Sequence, residues 1–287
     1  MCSACRSPIE SLGRILGHNV SGELLHDVLW LLPLGFVLGA VGTLIGAGGG
    51  FILVPVLLLL YPNEAPGTIT SISLIVVFFN ALSGSLVYGR AKKIDYKTGV
   101  TFAIAAIPGS ILGAITSATI RRQKFDLLFG ALLSILSILL LVRPRRKNAG
   151  AETQNSRNET PDLSSLKLAL GSAVSTGLGF LSSFFGIGAG FIYVPAFVYI
   201  LDFPVHTATA TSLFTLAIMS FTGSATHLFA GLPHHGMNLA LLLTPGVILG
   251  AQLGARLSRR LRADWILRGL ALALGLVGLR FVIVAWR

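Results

Sequence analysis

The apolar sequence of this chain breaks at two matching places. Residues 46–55 read GAGGGFILVP and residues 186–195 read GIGAGFIYVP. Gly46, Gly48, Gly50, Phe51, Ile52, Val54 and Pro55 recur as Gly186, Gly188, Gly190, Phe191, Ile192, Val194 and Pro195. Glycine loses more conformational freedom on ordering than any other residue, so such a run does not continue a helix at low cost. Its main-chain groups then need partners, and inside a bilayer only protein or a water-filled cavity supplies them. Any fold for this chain must contain both breaks and satisfy both.

The flanking runs have bilayer length. Apolar segments occur near 28–45, 67–89, 98–120, 125–142, 166–185, 206–229, 237–255 and 264–285, each close to the ~20 residues of a membrane-crossing helix. Two shorter pieces, 51–61 and 191–201, follow the glycines directly. Only 11% of the residues are charged, against roughly 25% in soluble proteins. The expected fold class is an all-α polytopic membrane protein with two homologous, inverted helical repeats. Each repeat carries a Gly-broken helix pair, giving about eight long spans and two short segments.

The duplication extends past the glycines. Ser73-Leu74 matches Ser212-Leu213, and Ser83-Gly84-Ser85 matches Thr222-Gly223-Ser224. PGSILGA at 108–114 returns as PGVILGA at 245–251. The offset drifts from 140 to 139 to 137, as expected when loops between helices differ slightly in length. The hydrophilic stretch 143–165 separates the halves and reads as a flexible linker. The expected organisation is a tail at 1–27, a first repeat at 28–142, the linker at 143–165 and a second repeat at 166–287. Gly35/Gly39, Gly109/Gly113 and Gly246/Gly250/Gly254 have the four-residue spacing of closely packed membrane helices.

A net charge of +11 could suggest nucleic acid, but its placement excludes that class. The basic residues cluster in short loops: Arg90, Lys92, Lys93 and Lys97; Arg121, Arg122 and Lys124; Arg143, Arg145, Arg146 and Lys147; Arg256, Arg259, Arg260 and Arg262. This is the pattern of the positive-inside rule. With five crossings per half, the side holding loop 90–97, the linker and 256–262 has more than twice the basic residues of the other. The linker is then cytoplasmic and both termini are extracytoplasmic. With four crossings per half the linker stays cytoplasmic, but the charge bias is weaker. The expected location is the cell (inner) membrane, multi-pass. Residues 1–27 mix charges of both signs, and no secretory signal peptide is expected there. Cys2 and Cys5 form a single C-x-x-C, which lacks the second pair a structural zinc site needs.

The segments that restart after the glycines carry the candidate binding groups. A helix N-terminus presents free N–H groups and a positive dipole end, which suit an anion. The candidates are Gly48, Gly49 and Gly50 in the first half and Gly188, Ala189 and Gly190 in the second. Pro55 and Pro195 follow within the short segments and would bend or begin them. Hydroxyl-rich stretches come next, Thr68, Thr70, Ser71 and Ser73, then Thr207, Thr209, Thr211 and Ser212. They either donate to an oxyanion, with Ser71, Ser73, Thr211 and Ser212 as ligands, or bond back to helix carbonyls. Asn80 and His227 are the polar residues within spans that could bind or gate. A phosphate-binding P-loop is excluded because Phe51 and Phe191 stand where Lys-Ser/Thr is required.

No Asp or Glu sits well inside a span; Asp27, Glu64 and Asp202 lie at the ends. Without an acidic relay for a coupling ion, export of an anion is favoured. The membrane potential drives it by ~2.3 kcal/mol per charge per 100 mV. An intramembrane enzyme would need a nucleophile with its base or a metal cluster, and His234 and His235 are adjacent rather than at helical metal spacing. The expected partners are a small anionic solute and the lipid bilayer, with no cofactor, no metal and no nucleic acid. A homo-oligomer is compatible with the sequence. The competing readings are transport of a cation or neutral metabolite, and a membrane subunit that transports nothing itself.

The chain resembles the TauE/SafE sulfite exporter family, within the 4-toluene sulfonate uptake permease group. The resemblance rests on G-x-G-x-G-F-I-x-V-P in both halves, the Ser/Thr-rich segments with Ser-Leu, and Ile94-Asp95-Tyr96, similar to the family's G-x-I-D-aromatic loop. It covers about residues 30–285. It implies transport of sulfite, sulfoacetate or sulfonates across a bacterial-type inner membrane. Lys92-Lys93 replaces the expected loop glycine, and the second half has Pro233-His234-His235 in place of an Ile-Asp pair. A symmetric gating role for Asp95 is therefore not carried over.

Overall fold

A computed structural model of the chain describes residues 20–62, 64–142, 165–199, 203–230, 234–258, 275 and 278–280. The Cys2/Cys5 pair, the linker up to residue 164 and nearly all of the span expected at 264–285 lie outside the described residues. The described residues form helices joined by short turns, without strands. In chain order these are α1 (Val20–Ile45), α2 (Gly50–Leu60), α3 (Pro66–Arg90), α4 (Tyr96–Thr119), α5 (Arg122–Val142), α6 (Ser165–Phe185), α7 (Gly190–Tyr199), α8 (Val205–Phe229) and α9 (His234–Leu257). Four are long and apolar enough to cross a membrane: α3, α4, α8 and Met237–Leu257 of α9.

Local chemistry explains several boundaries. Pro66 opens α3, where its missing N–H is no loss. Asp95 caps α4 by accepting from the amides of Lys97 and Thr98, at 3.1 and 3.3 Å, and from Thr98 Oγ1 at 2.8 Å. α1 begins at Val20, ahead of the apolar run expected from 28, because a helix needs apolar residues only where it meets lipid. α2 and α7 have 11 and 10 residues, or ~15–16 Å at 1.5 Å per residue. That is about half of the ~30 Å hydrocarbon core.

The carbonyl end of α2 has a dedicated partner. Arg122, at the start of α5, donates to the Glu64 carbonyl at 2.6 Å and the Leu58 carbonyl at 3.2 Å. Its Nε pairs with Asp126 at 2.9 Å. A cation on orphan carbonyls at a helix C-terminus satisfies them and opposes the dipole.

Each half packs mainly on the other. α1 packs against α9, α4 against α6, and α3 against α8. The glycine stripes sit in these contacts. A Cβ on Gly109 would collide with the Thr176 carbonyl oxygen of α6, and one on Gly250 with that of Phe36 in α1. Backbones this close gain dispersion contacts, which replace the hydrophobic drive in lipid. Phe125 and Phe129 of α5 are fully buried and pack on Phe185, next to α2 residues Leu53 and Leu57 in the largest core cluster.

Candidate functional site

Both breaks fall where the glycines are. α1 stops at Ile45 and helix resumes at Gly50; α6 stops at Phe185 and helix resumes at Gly190. Gly48, Gly49 and Gly188 hold φ of 75, 79 and 71°, a left-handed region that costs other residues roughly 1–2 kcal/mol. Pro55 and Pro195 lie inside α2 and α7, with Pro55 buried.

The two loops meet in the buried centre. A Cβ on Gly50 would come within 2.6 Å of the Gly186 carbonyl oxygen, and one on Gly190 would collide with that of Gly46. Residues 46–50 and 186–190 are all buried. Val77 of α3 and Leu216 of α8, both 0% exposed, each pack over Gly48 and over Gly188. The loops are thus closed off by apolar side chains from the central helix pair.

Two of the serines expected as ligands, Ser73 and Ser212, hold the loops. Ser73 Oγ donates to the Gly186 carbonyl at 2.6 Å, and Ser212 Oγ to the Gly46 carbonyl at 3.2 Å. Ser212 also points to the Thr209 carbonyl at 3.0 Å, and Ser71 donates to that of Thr68 at 2.7 Å. Thr211 Oγ1 accepts from the Asp95 amide at 3.1 Å, tying α8 to the start of α4. The buried Nε2 of His227 lies 3.3 Å from Ser117 Oγ and 3.5 Å from Thr70 Oγ1.

The loop amides divide into satisfied and free. Gly46 N–H donates to the Thr43 carbonyl, and Ala47 and Gly48 N–H to that of Gly42. Ile52 and Leu53 donate to Gly49 O. Among the described residues no acceptor takes the amide protons of Gly49, Gly50 or Phe51. In the second loop the Ala189 amide donates to Ser182 Oγ at 3.2 Å.

Asn80 stands beside Gly49. It is 0% exposed, and its Oδ1 accepts from Thr43 Oγ1 at 2.7 Å. Its Nδ2 has no partner among the described residues and sits 3.4 Å from where a Gly49 Cβ would be. Met219 occupies the matching position of α8, at the 139-residue offset that relates Ser73 to Ser212. Uncommitted amides lie in both loops, since those of Gly188 and Gly190 also find no acceptor among the described residues, and Asn80 Nδ2 adds a side-chain donor beside the first. Among the described residues no group of three or more His, Cys, Asp or Glu could hold a metal ion.

Sequence reasoning missed two parts of this arrangement. Val77 and Leu216 were legible, since they match at the same 139-residue offset. Arg122 was not, because nothing in its spacing from α2 announces the contact.

Comparison with known proteins gives a consistent result. The family model described as "Sulfite exporter TauE/SafE" matches residues 31–281. The probable membrane transporter protein YunE of Bacillus subtilis is 34% identical over 265 residues, 88% of this chain and 96% of that protein. A probable membrane transporter protein of Xylella fastidiosa is 31% identical over 80% of this chain and 83% of its own length. One from Methanocaldococcus jannaschii is 26% identical over 90% and 97%. No solved structure matches.

Proposed function

Because the chain belongs to the TauE/SafE sulfite exporter family of membrane proteins, we propose that it carries a small sulfur-containing anion, sulfite or an organosulfonate, outward across a bacterial-type inner membrane. The observation that carries this reading is the set of free donors at the first break. The amides of Gly49, Gly50 and Phe51 and the Nδ2 of Asn80 lack acceptors in a fully buried place. Buried donors without partners are costly, and an oxyanion accepts several hydrogen bonds at once.

The same geometry weighs against a cation. A cation would use unwound carbonyls, and two of these, at Gly46 and Gly186, already accept hydrogen bonds from serines of the opposite half. The positive end of α2 adds to the preference for negative charge. In this reading Gly48–Gly50 form the anion-facing side. Gly188, Ala189 and Gly190 close it from the second half, with Pro55 and Pro195 setting the short helices. Ser73 and Ser212 hold the loops in register, while Ser71 and Thr211 support the helices behind them.

The structure is closed around the loops, so release requires Val77 and Leu216 to part. Two inverted repeats rocking about the α3–α8 contact would do this, with the linker cytoplasmic and the termini outside. The deciding experiment is flux of sulfite and of an organosulfonate from proteoliposomes under an imposed potential. Electrogenic flux that Gly49→Val abolishes is the expected result. No anion flux at any potential, from folded and inserted protein, overturns the reading.

A further inference from the structure

A groove of about 700 Å³ runs between α3 and α8, its walls including Phe78, Leu82, Leu86, Arg90, Tyr96 and Phe221. It opens outward: Leu86 and Phe221 are 59% and 58% exposed. Side chains of this kind face hydrocarbon in a membrane protein. From Phe78 to Arg90 the groove follows α3 for ~18 Å, close to one leaflet of the ~30 Å hydrocarbon core.

One end is cationic. Arg90 lies in the last turn of α3, and exposed Lys92 and Lys93 follow it. The turn is held rather than loose. Lys92 N–H donates to the Gly89 carbonyl at 2.9 Å and Lys93 N–H to that of Tyr88 at 3.1 Å, with Lys92 at φ 51°. Among the described residues the one ion pair is Arg122–Asp126, so none of these three cations faces a carboxylate. Asp95, the nearest acid in sequence, is engaged in capping α4.

A hydrocarbon channel one leaflet long with uncompensated positive charge at its interfacial end matches one kind of molecule. We propose that this groove holds an anionic phospholipid, its phosphate on Arg90, Lys92 and Lys93 and an acyl chain along Phe78, Leu82, Leu86 and Phe221. The chain would lie against Ala217, which lines the groove and shares a buried cluster with Val77 and Leu216. Lipid in the groove therefore backs the layer that closes the loops.

The test is native mass spectrometry of the full chain in detergent, with phosphatidylglycerol and phosphatidylcholine of the same acyl chains. The wild type is expected to retain phosphatidylglycerol at least ~10-fold better, and the triple variant R90A/K92A/K93A to lose that preference. Leu86→Trp, which fills the channel and keeps the charges, is expected to reduce retention of both lipids. Equal retention of the two lipids by the wild type overturns the proposal. So does anionic retention unchanged in both variants. Displacement of the lipid by millimolar inorganic phosphate alone would mean a free-anion site, and a dimer that Leu86→Trp splits without lipid loss would mean a second copy. Either overturns it. A melting temperature for each variant within a few degrees of wild type shows that folding is not the cause.

Discussion

Ser73 Oγ donates a 2.6 Å hydrogen bond to the main-chain carbonyl of Gly186, 113 positions away. Its counterpart Ser212 makes the same kind of bond to Gly46 at 3.2 Å. Each broken helix is thus completed by a hydroxyl from the opposite half. A glycine loop at membrane depth is tolerated only when its main chain is satisfied, and here one carbonyl of each loop takes its donor from the other half. Assembly of the two halves therefore contributes to the stability of both loops.

Ser73→Ala leaves the buried Gly186 carbonyl without this donor and is expected to destabilise the protein by ~1–3 kcal/mol. Ser212→Ala is expected to cost less, because that hydroxyl is shared with the Thr209 carbonyl. Chemical unfolding in detergent measures both. A larger loss for Ser212→Ala contradicts the assignment.

Asn80→Leu removes the free Nδ2 donor and is expected to raise the KM for anion flux with little loss of inserted protein. Asn80→Asp puts negative charge beside Gly49 and is expected to reduce flux further. Met219→Leu, at the matching place in α8, should leave KM unchanged. Equal effects at positions 80 and 219 would show that Asn80 Nδ2 does not serve the anion.

Gly188→Val places a branched side chain at φ 71°, where its Cβ would lie 2.9 Å from the Ala47 carbonyl oxygen. Together with the ~1–2 kcal/mol backbone cost, this is expected to spread the loops and abolish flux. Wild-type flux from an inserted Gly188→Val protein would remove the second loop from the transport path.

Arg122→Ala strips the carbonyls of Leu58 and Glu64 of their donor. The expected loss is ~1.5–3 kcal/mol, the range for hydrogen bonds from a charged group. Arg122→Lys is expected to recover only part, since an ammonium lacks the planar fork that reaches both carbonyls and Asp126. Thermal unfolding ranks the three proteins, and full recovery by Lys would mean that only the charge matters.

Asp95→Ala removes the α4 cap, with an expected cost of ~1 kcal/mol, and Asp95→Asn should retain most of the stability. A flux defect in Asp95→Asn at unchanged stability would instead mark Asp95 as part of the transport path.

The helix breaks were legible in the sequence, whereas the start of α3 at Pro66 and the cap at Asp95 emerged with the structure. All three depend on residues within a few positions: glycine's tolerance of positive φ, proline's missing N–H, a carboxylate facing two amides. The glycine stripes announced close packing for the same local reason, but not which helices would meet. That α1 lies on α9 and α4 on α6, that Ser73 reaches Gly186, and that Arg122 closes α2 depend on what the fold brings within about 3 Å. A serine has one proton, and its sequence does not say whether a solute or a carbonyl will take it. Asn80 shows the division most clearly: composition placed a polar group inside a span, and only the packing around it left its Nδ2 unpaired beside Gly49. The sequence alone determined where the main chain must leave the helix, and the tertiary structure decided which groups receive it there.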